Sequence, residues 1–287
     1  MIEISITTDR VLLDQVEQTL ADFGAQSVTL RDAADDPVLE PLPGETPLWS
    51  QVLVTALFSS ETEIDALKQA LQPFINRSEL KVVGIAQQGW VWVYLNNFKP
   101  RRFGRRLRIC CSNQAPDATA VDIQLDPGLA FGTGNHETTA LCLEWLDANP
   151  PIGRIVIDYG CGSGILAIAA IKLGARYVHA VDIDPQALLA TGDNAARNSV
   201  SPNQLVICRP DDPLDLPADI LVANILARPL TKLAENLAQR VNQAGQIVLS
   251  GVLHHQADEL IAVYAPWFNC VRTRDKDGWA LMEGTKR

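Results

Sequence analysis

Residues 2–8 (IEISITT) alternate apolar and polar side chains, the period of a strand buried on one face. The period then lengthens, and Val11, Leu12, Val16, Leu20 and Phe23 recur at helical spacing over 10–23. Residues 25–30 (AQSVTL) return to strand character. A proline-rich loop, PLPGETP at 41–47, separates them from a strand at 51–58 (QVLVTALF). Residues 61–75 place Ile64, Leu67, Leu71 and Ile75 on one helical face, and 79–86 (ELKVVGIA) close the series. The order βαββαβ predicts an α+β ferredoxin-like domain, with two helices on one face of an antiparallel sheet. That fold has no fixed active site and reads by default as a binding module.

From about residue 109, strand and helix patterns alternate. Strands are predicted at 121–125, 154–158, 177–182, 205–208, 218–223, 246–250 and 268–273, and helices at 136–147, 164–173, 185–198, 228–240 and 255–264. Alternation of this kind predicts a doubly wound α/β sheet with helices on both faces. Segments 268–274 and 278–283 are joined by DKDG, an Asp-Gly hairpin signal, so one edge of the sheet must be antiparallel. Between the two regions, residues 88–108 (QGWVWVYLNNFKPRRFGRRLR) read as aromatic anchors followed by solvated charge. The expected organisation is a domain at 1–87, a linker at 88–108 and a second domain at 109–287.

Charge sharpens this division. Residues 1–98 carry 5 Lys+Arg against 14 Asp+Glu, residues 99–108 carry 6 positive charges and no negative ones, and residues 109–287 carry 13 against 20. The acidic front third is either simply solubilising or a surface that attracts a basic partner. Sequence-specific binding of nucleic acid is disfavoured, since phosphate contacts need a large basic face. No apolar run approaches the roughly 18 residues of a membrane span. The N-terminus (MIEISITTDR) lacks the cationic-then-apolar character of a signal peptide, so a cytoplasmic protein is expected. The six cysteines have no CxxC spacing and the four histidines no HExxH motif, so no metal site is expected.

Chemistry concentrates in two glycine-rich stretches, LDPGLAFGTGNHETT at 125–139 and VIDYGCGSGILAIAA at 156–170. The second follows a predicted strand and opens a helix, the setting of a ligand loop. Gly160, Gly162 and Gly164 permit sharp turns and close approach of backbone to a ligand. The spacing is GxGxG, and Ile165 stands where a dinucleotide fingerprint would place its third glycine. Asp182 ends the next strand, 22 residues after Gly160, where a carboxylate can accept from the vicinal hydroxyls of a ribose. Asp158 adds a second negative charge, and no Lys or Arg lies in the loop or the first turn of its helix. An acidic pocket without a phosphate partner suits a nucleoside that carries positive charge, S-adenosyl-L-methionine.

Asn224 falls at the carboxyl end of the strand DILVAN, where open α/β sheets present their working residues. Its amide oxygen can hold a substrate amine with the lone pair toward a sulfonium methyl; the plainer alternative is a helix cap. The first glycine-rich stretch can fold over the methionine end of the cofactor, with Gly132 and Gly134 for close approach, Phe131 as an apolar wall and Thr139 as a hydroxyl. Thr138 and Thr139 equally suit helix-start capping.

The motifs LDPGLAFGTGNHETT, VIDYGCGSGILAIAA, VDIDPQA, DNAARN and VANILARPL, with EPLPGETPLW and NNFKPRRFG, resemble those of the ribosomal protein L-eleven methyltransferases. The resemblance spans nearly the whole chain. It implies a ferredoxin-like substrate-recognition domain, a linker and a Rossmann-like class I methyltransferase domain. It further implies methylation, from S-adenosyl-L-methionine, of lysine side chains and the N-terminal amine of one large-subunit ribosomal protein. By matching motifs it puts cofactor contacts on Thr139, Gly160, Asp182 and Asn224; the loop reading adds Gly162, and Asn224 is the expected catalytic residue. The expected partner is that basic ribosomal protein, free or on the ribosome, with the enzyme a monomer. A methyltransferase for a release-factor glutamine would prefer Asn-Pro-Pro-Tyr where this chain has Asn-Ile-Leu. A nicotinamide-dependent oxidoreductase and a non-catalytic ribosome adaptor are the other readings.

Overall fold

The computed structural model describes residues 2–33, 49–74, 80–84, 98–125, 136–212 and 217–287. The chain divides into two compact units, Met1–Val93 and Tyr94–Arg287.

In the first unit, strands β1 (Ile2–Asp9), β2 (Ser27–Asp32), β3 (Gln51–Phe58) and β4 (Lys81–Gly84) form one antiparallel sheet in the order β2-β3-β1-β4. Helices α1 (Leu13–Asp22) and α2 (Ile64–Leu71) pack on the face where Ile4, Ile6, Val52, Val54, Ala56 and Phe58 are buried. This is the ferredoxin-like arrangement that the alternating pattern predicts. Val11 departs from the expected helical face: it lies in a 3₁₀ turn, Arg10–Leu12, and is 87% exposed. The proline-rich loop at 41–47 lies outside the described residues.

The second unit is built on seven strands: β8 (Ile155–Tyr159), β9 (Tyr177–Val181), β10 (Leu205–Cys208), β11 (Ala218–Asn224), β12 (Val241–Leu253), β13 (Phe268–Lys276) and β14 (Trp279–Lys286). Their order is β10-β9-β8-β11-β12-β14-β13. The first five are parallel, while β14 runs antiparallel to both β12 and β13. The β13–β14 turn carries positive φ at Asp277 (47°) and Gly278 (81°), as a tight Asp-Gly hairpin requires.

Alternation along the central strands sorts side chains onto two faces. Ile155, Ile157 and Tyr159 of β8 and Leu221 and Ala223 of β11 join the core under α6 (Ala227–Gln239) and α7 (Ala257–Tyr264). Val156, Ile220 and Val222 face the opposite core, beneath α3 (Glu137–Ala148) and α4 (Ile165–Lys172). Period two therefore also turns Asp158 and Asn224 toward α3 and α4. Helix α5 (Pro185–Arg197) packs beside β9 and β10.

Two expectations need correction. The strand at 121–125 does not enter the large sheet. As β7 (Val121–Gln124) it pairs in parallel with β6 (Leu107–Cys110), which pairs with β5 (Arg101–Phe103). Side chains satisfy its other edge: Lys172 Nζ donates to Asp122 O at 2.7 Å, and Asn198 both donates to Gln124 O at 2.8 Å and accepts from Gln124 N at 2.9 Å. The basic segment is likewise no solvated connector, since it supplies β5 and β6 to the second unit. Three of its six charges are matched locally: Arg102 pairs with Asp117, Arg106 Nε meets Asp147 Oδ1 at 3.1 Å, and Arg108 Nε meets Asp122 Oδ1 at 2.6 Å. Asp147 is buried and also accepts from the Arg105 and Arg106 amides, at 2.7 and 3.1 Å. Among the described residues, no helix is long and apolar enough to cross a membrane.

Candidate functional site

The chain turns sharply where β8 ends. Gly160, Gly162 and Gly164 have φ of 80°, 54° and 77°, a left-handed region costly for any residue with a Cβ. A Cβ at Gly160 would collide with Ile225 Cγ2, and one at Gly164 would lie 2.8 Å from Thr191 Cγ2. The first and third glycines therefore also serve the packing of protein on protein, beside the sharp turns and ligand approach expected of them.

The loop is tied down from three directions. The Gly160 and Cys161 amides donate to Val181 O at 2.8 and 3.0 Å. Thr191 Oγ1 donates to Gly162 O at 3.0 Å, and Asn194 Nδ2 to Ser163 O at 2.8 Å. Asp182, just past β9, accepts from the Gly162 amide through Oδ2 at 2.9 Å and from the Asp184 amide through Oδ1 at 3.0 Å. The cap of α5 is Asp184, which accepts from Gln186 N at 2.9 Å, so Asp182 is not the helix cap. Each Asp182 oxygen retains a lone pair for a further donor.

Asp158 is 1% exposed. Its Oδ2 accepts from the Ala167 amide at 2.9 Å, while Oδ1 meets no donor among the described residues. Burial, helped by the charge of Asp182, raises its pKa from the usual 3.8 to about 7; the Ala167 bond opposes this only in part. Asn224, at the end of β11, donates from Nδ2 to Thr139 Oγ1 at 3.3 Å, and its Oδ1 is a second buried acceptor that meets no donor among the described residues. Thr139 is itself buried in the first turn of α3. The cap of that helix is His136, whose Nδ1 accepts from Thr138 N at 3.3 Å and lies 2.8 Å from Thr138 Oγ1. The alternative of capping thus applies to neither Thr139 nor Asn224.

Of the expected site residues, Gly160, Gly162 and Asp182 form one hydrogen-bonded unit, and Thr139 and Asn224 form another. Phe131, Gly132 and Gly134 lie outside the described residues. Sequence reasoning missed Thr191, Asn194 and Ile225. The first two carried a readable signal, because Thr191, Asn194 and Asn198 stand at i, i+3 and i+7, a polar stripe on a helix face that is in fact buried. Ile225 carried none.

A parallel sheet with a glycine loop after its first strand, an acidic residue after its second and an antiparallel seventh strand defines the class I methyltransferase fold. The comparisons narrow this class. The model of the family described as ribosomal protein L11 methyltransferase (PrmA) matches residues 1–287. A ribosomal protein L11 methyltransferase of Azotobacter vinelandii is 49% identical over 290 residues, covering 100% of this chain and 98% of the relative. One from Actinobacillus pleuropneumoniae serotype 3 is 45% identical over 290 residues, covering 100% and 99%. The crystal structure of ribosomal protein L11 methylase from Lactobacillus delbrueckii subsp. bulgaricus is 33% identical with a TM-score of 0.59, covering 66% of this chain and 100% of that one. The chain belongs to the ribosomal protein L11 methyltransferase family.

Proposed function

We propose that this protein transfers methyl groups from S-adenosyl-L-methionine to amino groups of ribosomal protein L11, on lysine side chains and the N-terminal amine. The observation that carries the reading is a pair of orphaned oxygens. Asp158 Oδ1 and Asn224 Oδ1 are both buried, both lack donors among the described residues, and both belong to the face beneath α3 and α4. Buried acceptors without partners are costly, and a ligand with cationic and N–H groups relieves that cost. S-adenosyl-L-methionine brings both, together with an electrophilic methyl group on its sulfonium.

The residues present fit that group. Asp182 can accept from ribose hydroxyls while it holds the Gly162 amide, and Gly160 and Gly162 shape the loop. Thr139, tied to Asn224, would line the methionine side. Asn224 would accept an N–H of the incoming amine through Oδ1 and hold its lone pair toward the methyl. No general base is needed where the amine arrives neutral, and desolvation lowers a lysine pKa toward that form.

In this reading the enzyme works as a monomer in the cytoplasm, on the free protein or the ribosome. Direct nucleic-acid recognition has little support, because Arg102, Arg106 and Arg108 are already paired with carboxylates. The test is incubation with purified L11 and the cofactor, followed by peptide mass spectrometry. Methyl increments on lysine and N-terminal amines are expected; transfer to glutamine, or none, would defeat the reading.

A further inference from the structure

We propose that Gly251, a residue of β12 outside the cofactor loop, is the positioning residue that sets the backbone of Asn224. Asn224 stands beside Ser250 in the β11–β12 ladder, and Gly251 is the next residue along. Gly251 has φ of 81°. A Cβ there would collide with the carbonyl oxygen of Ile225, and would lie 2.8 Å from its carbonyl carbon and 3.0 Å from its nitrogen. Every one of these atoms is backbone, so no rotamer change makes room.

Ile225 is held on its other side as well. Its Cγ2 fills the space that a Cβ at Gly160 would need. Ile225, the residue after Asn224, is thus wedged, its side chain against Gly160 of the glycine loop and its backbone against Gly251 of β12. The β12–β14 register shifts between Leu249 and Val252, across Ser250 and Gly251, and Ser250 Oγ donates to Ala280 O at 3.1 Å. A bulge of this kind re-aims the strand locally, and the serine anchors it to β14. Thr139 orients the amide of Asn224 and Gly251 fixes the chain that carries it. This role rests on the reading of Asn224 as the residue that holds the amine.

The test compares Gly251→Ala with Gly245→Ala. Gly245 lies on the same strand, where a Cβ would sit 2.7 Å from Val241 Cγ1, 2.8 Å from Asn242 O and 3.1 Å from Asp219 O, far from Asn224 along both strands. Both variants should lose thermal stability. Only Gly251→Ala should displace the Asn224 side-chain amide resonances of the ligand-free protein. Only it should lower kcat, by about 10–100-fold with KM nearly unchanged, as a small misplacement of a reacting partner does. Ile225→Ala introduces no clash and removes the side chain that, against Gly160, holds the Ile225 backbone to Gly251, so it should shift the same resonances and lower kcat to a lesser degree. It keeps the question open to measurement if Gly251→Ala does not fold. Amide resonances and kcat in either variant that match Gly245→Ala would overturn the role. If the wild-type protein transfers no methyl group to L11, the amine-holding reading fails on its own, while the resonances still report whether Gly251 sets Asn224.

Discussion

Thr139 and Asn224, 85 residues apart in the chain, meet through one hydrogen bond of 3.3 Å in which the amide nitrogen is the donor. The bond decides which end of the amide lacks a donor among the described residues. With Nδ2 engaged by the hydroxyl, Oδ1 is left as the buried acceptor, the atom that an amine can approach. Thr139→Val should remove that orientation and lower kcat by about tenfold or more, the effect of about 1.4 kcal/mol in the transition state. Thr139→Ser should restore most of it. Equal kcat in the valine and serine variants would mean that the hydroxyl does not orient the amide.

Asp158 gives a pH signature. Its folded pKa is raised, so the folded protein holds more protons than the unfolded chain between pH 3.8 and about 7. The contribution of Asp158 to stability therefore falls as pH rises through that window and is level above it. Asp158→Asn removes this component, and its stability relative to wild type should improve from pH 4 to pH 7. Denaturant melts of both proteins at several pH values check the sign. A wild type that gains on the variant as pH rises would contradict a buried, desolvated carboxyl.

Asp182 is expected to act on both loop and ligand. Asp182→Ala frees the Gly162 amide and removes the acceptor proposed for ribose. Loss of two charge-assisted hydrogen bonds, each about 1.5–3 kcal/mol, should weaken cofactor affinity by about 100-fold or more. Calorimetry with S-adenosyl-L-methionine reads this directly, and unchanged affinity would remove Asp182 from the site.

The position of β5 and β6 fixes where the second unit can be cut. A chain that begins at residue 94 keeps Phe103 and Leu107 in the core and the Arg106–Asp147 pair intact. One that begins at 109 loses two buried side chains worth about 1.5–3 kcal/mol each, and leaves Asp147 buried without its partner. The longer chain should fold and bind the cofactor, and the shorter should melt well below it or fail to fold. Equal melting temperatures would show that β5 and β6 add nothing to the unit.

Much of this was legible in the pattern of side chains. The strands of the large sheet and its five principal helices stand within a few residues of the predicted positions, except that β12 starts at Val241 rather than 246, because long runs with a clear period leave little choice. The edge hairpin followed from Asp277 and Gly278. The partner of β7 could not be read, since four residues of strand say nothing about which sheet receives them. The ion pairs of Arg102, Arg106 and Arg108 were equally hidden, because Asp117, Asp122 and Asp147 look like ordinary surface acids until the chain folds. At the site, position at the ends of predicted strands exposed Asp182 and Asn224 as candidates. Position could not tell that the Ile225 side chain packs where a Cβ on Gly160 would stand, a contact made only by tertiary packing.

In the proposed reaction Asn224 presents Oδ1 to an amine of L11 beside a bound methyl donor. Single-turnover transfer from labelled S-adenosyl-L-methionine to purified L11, by wild type and by Asn224→Ala, tests it most directly. Label should appear on lysine and N-terminal amines with the wild type. The variant should bind L11 normally and transfer more slowly by about 100-fold or more, the loss of roughly 2.7 kcal/mol of transition-state stabilisation. Transfer by Asn224→Ala at the wild-type rate, or label on any group other than an amine, would contradict the account.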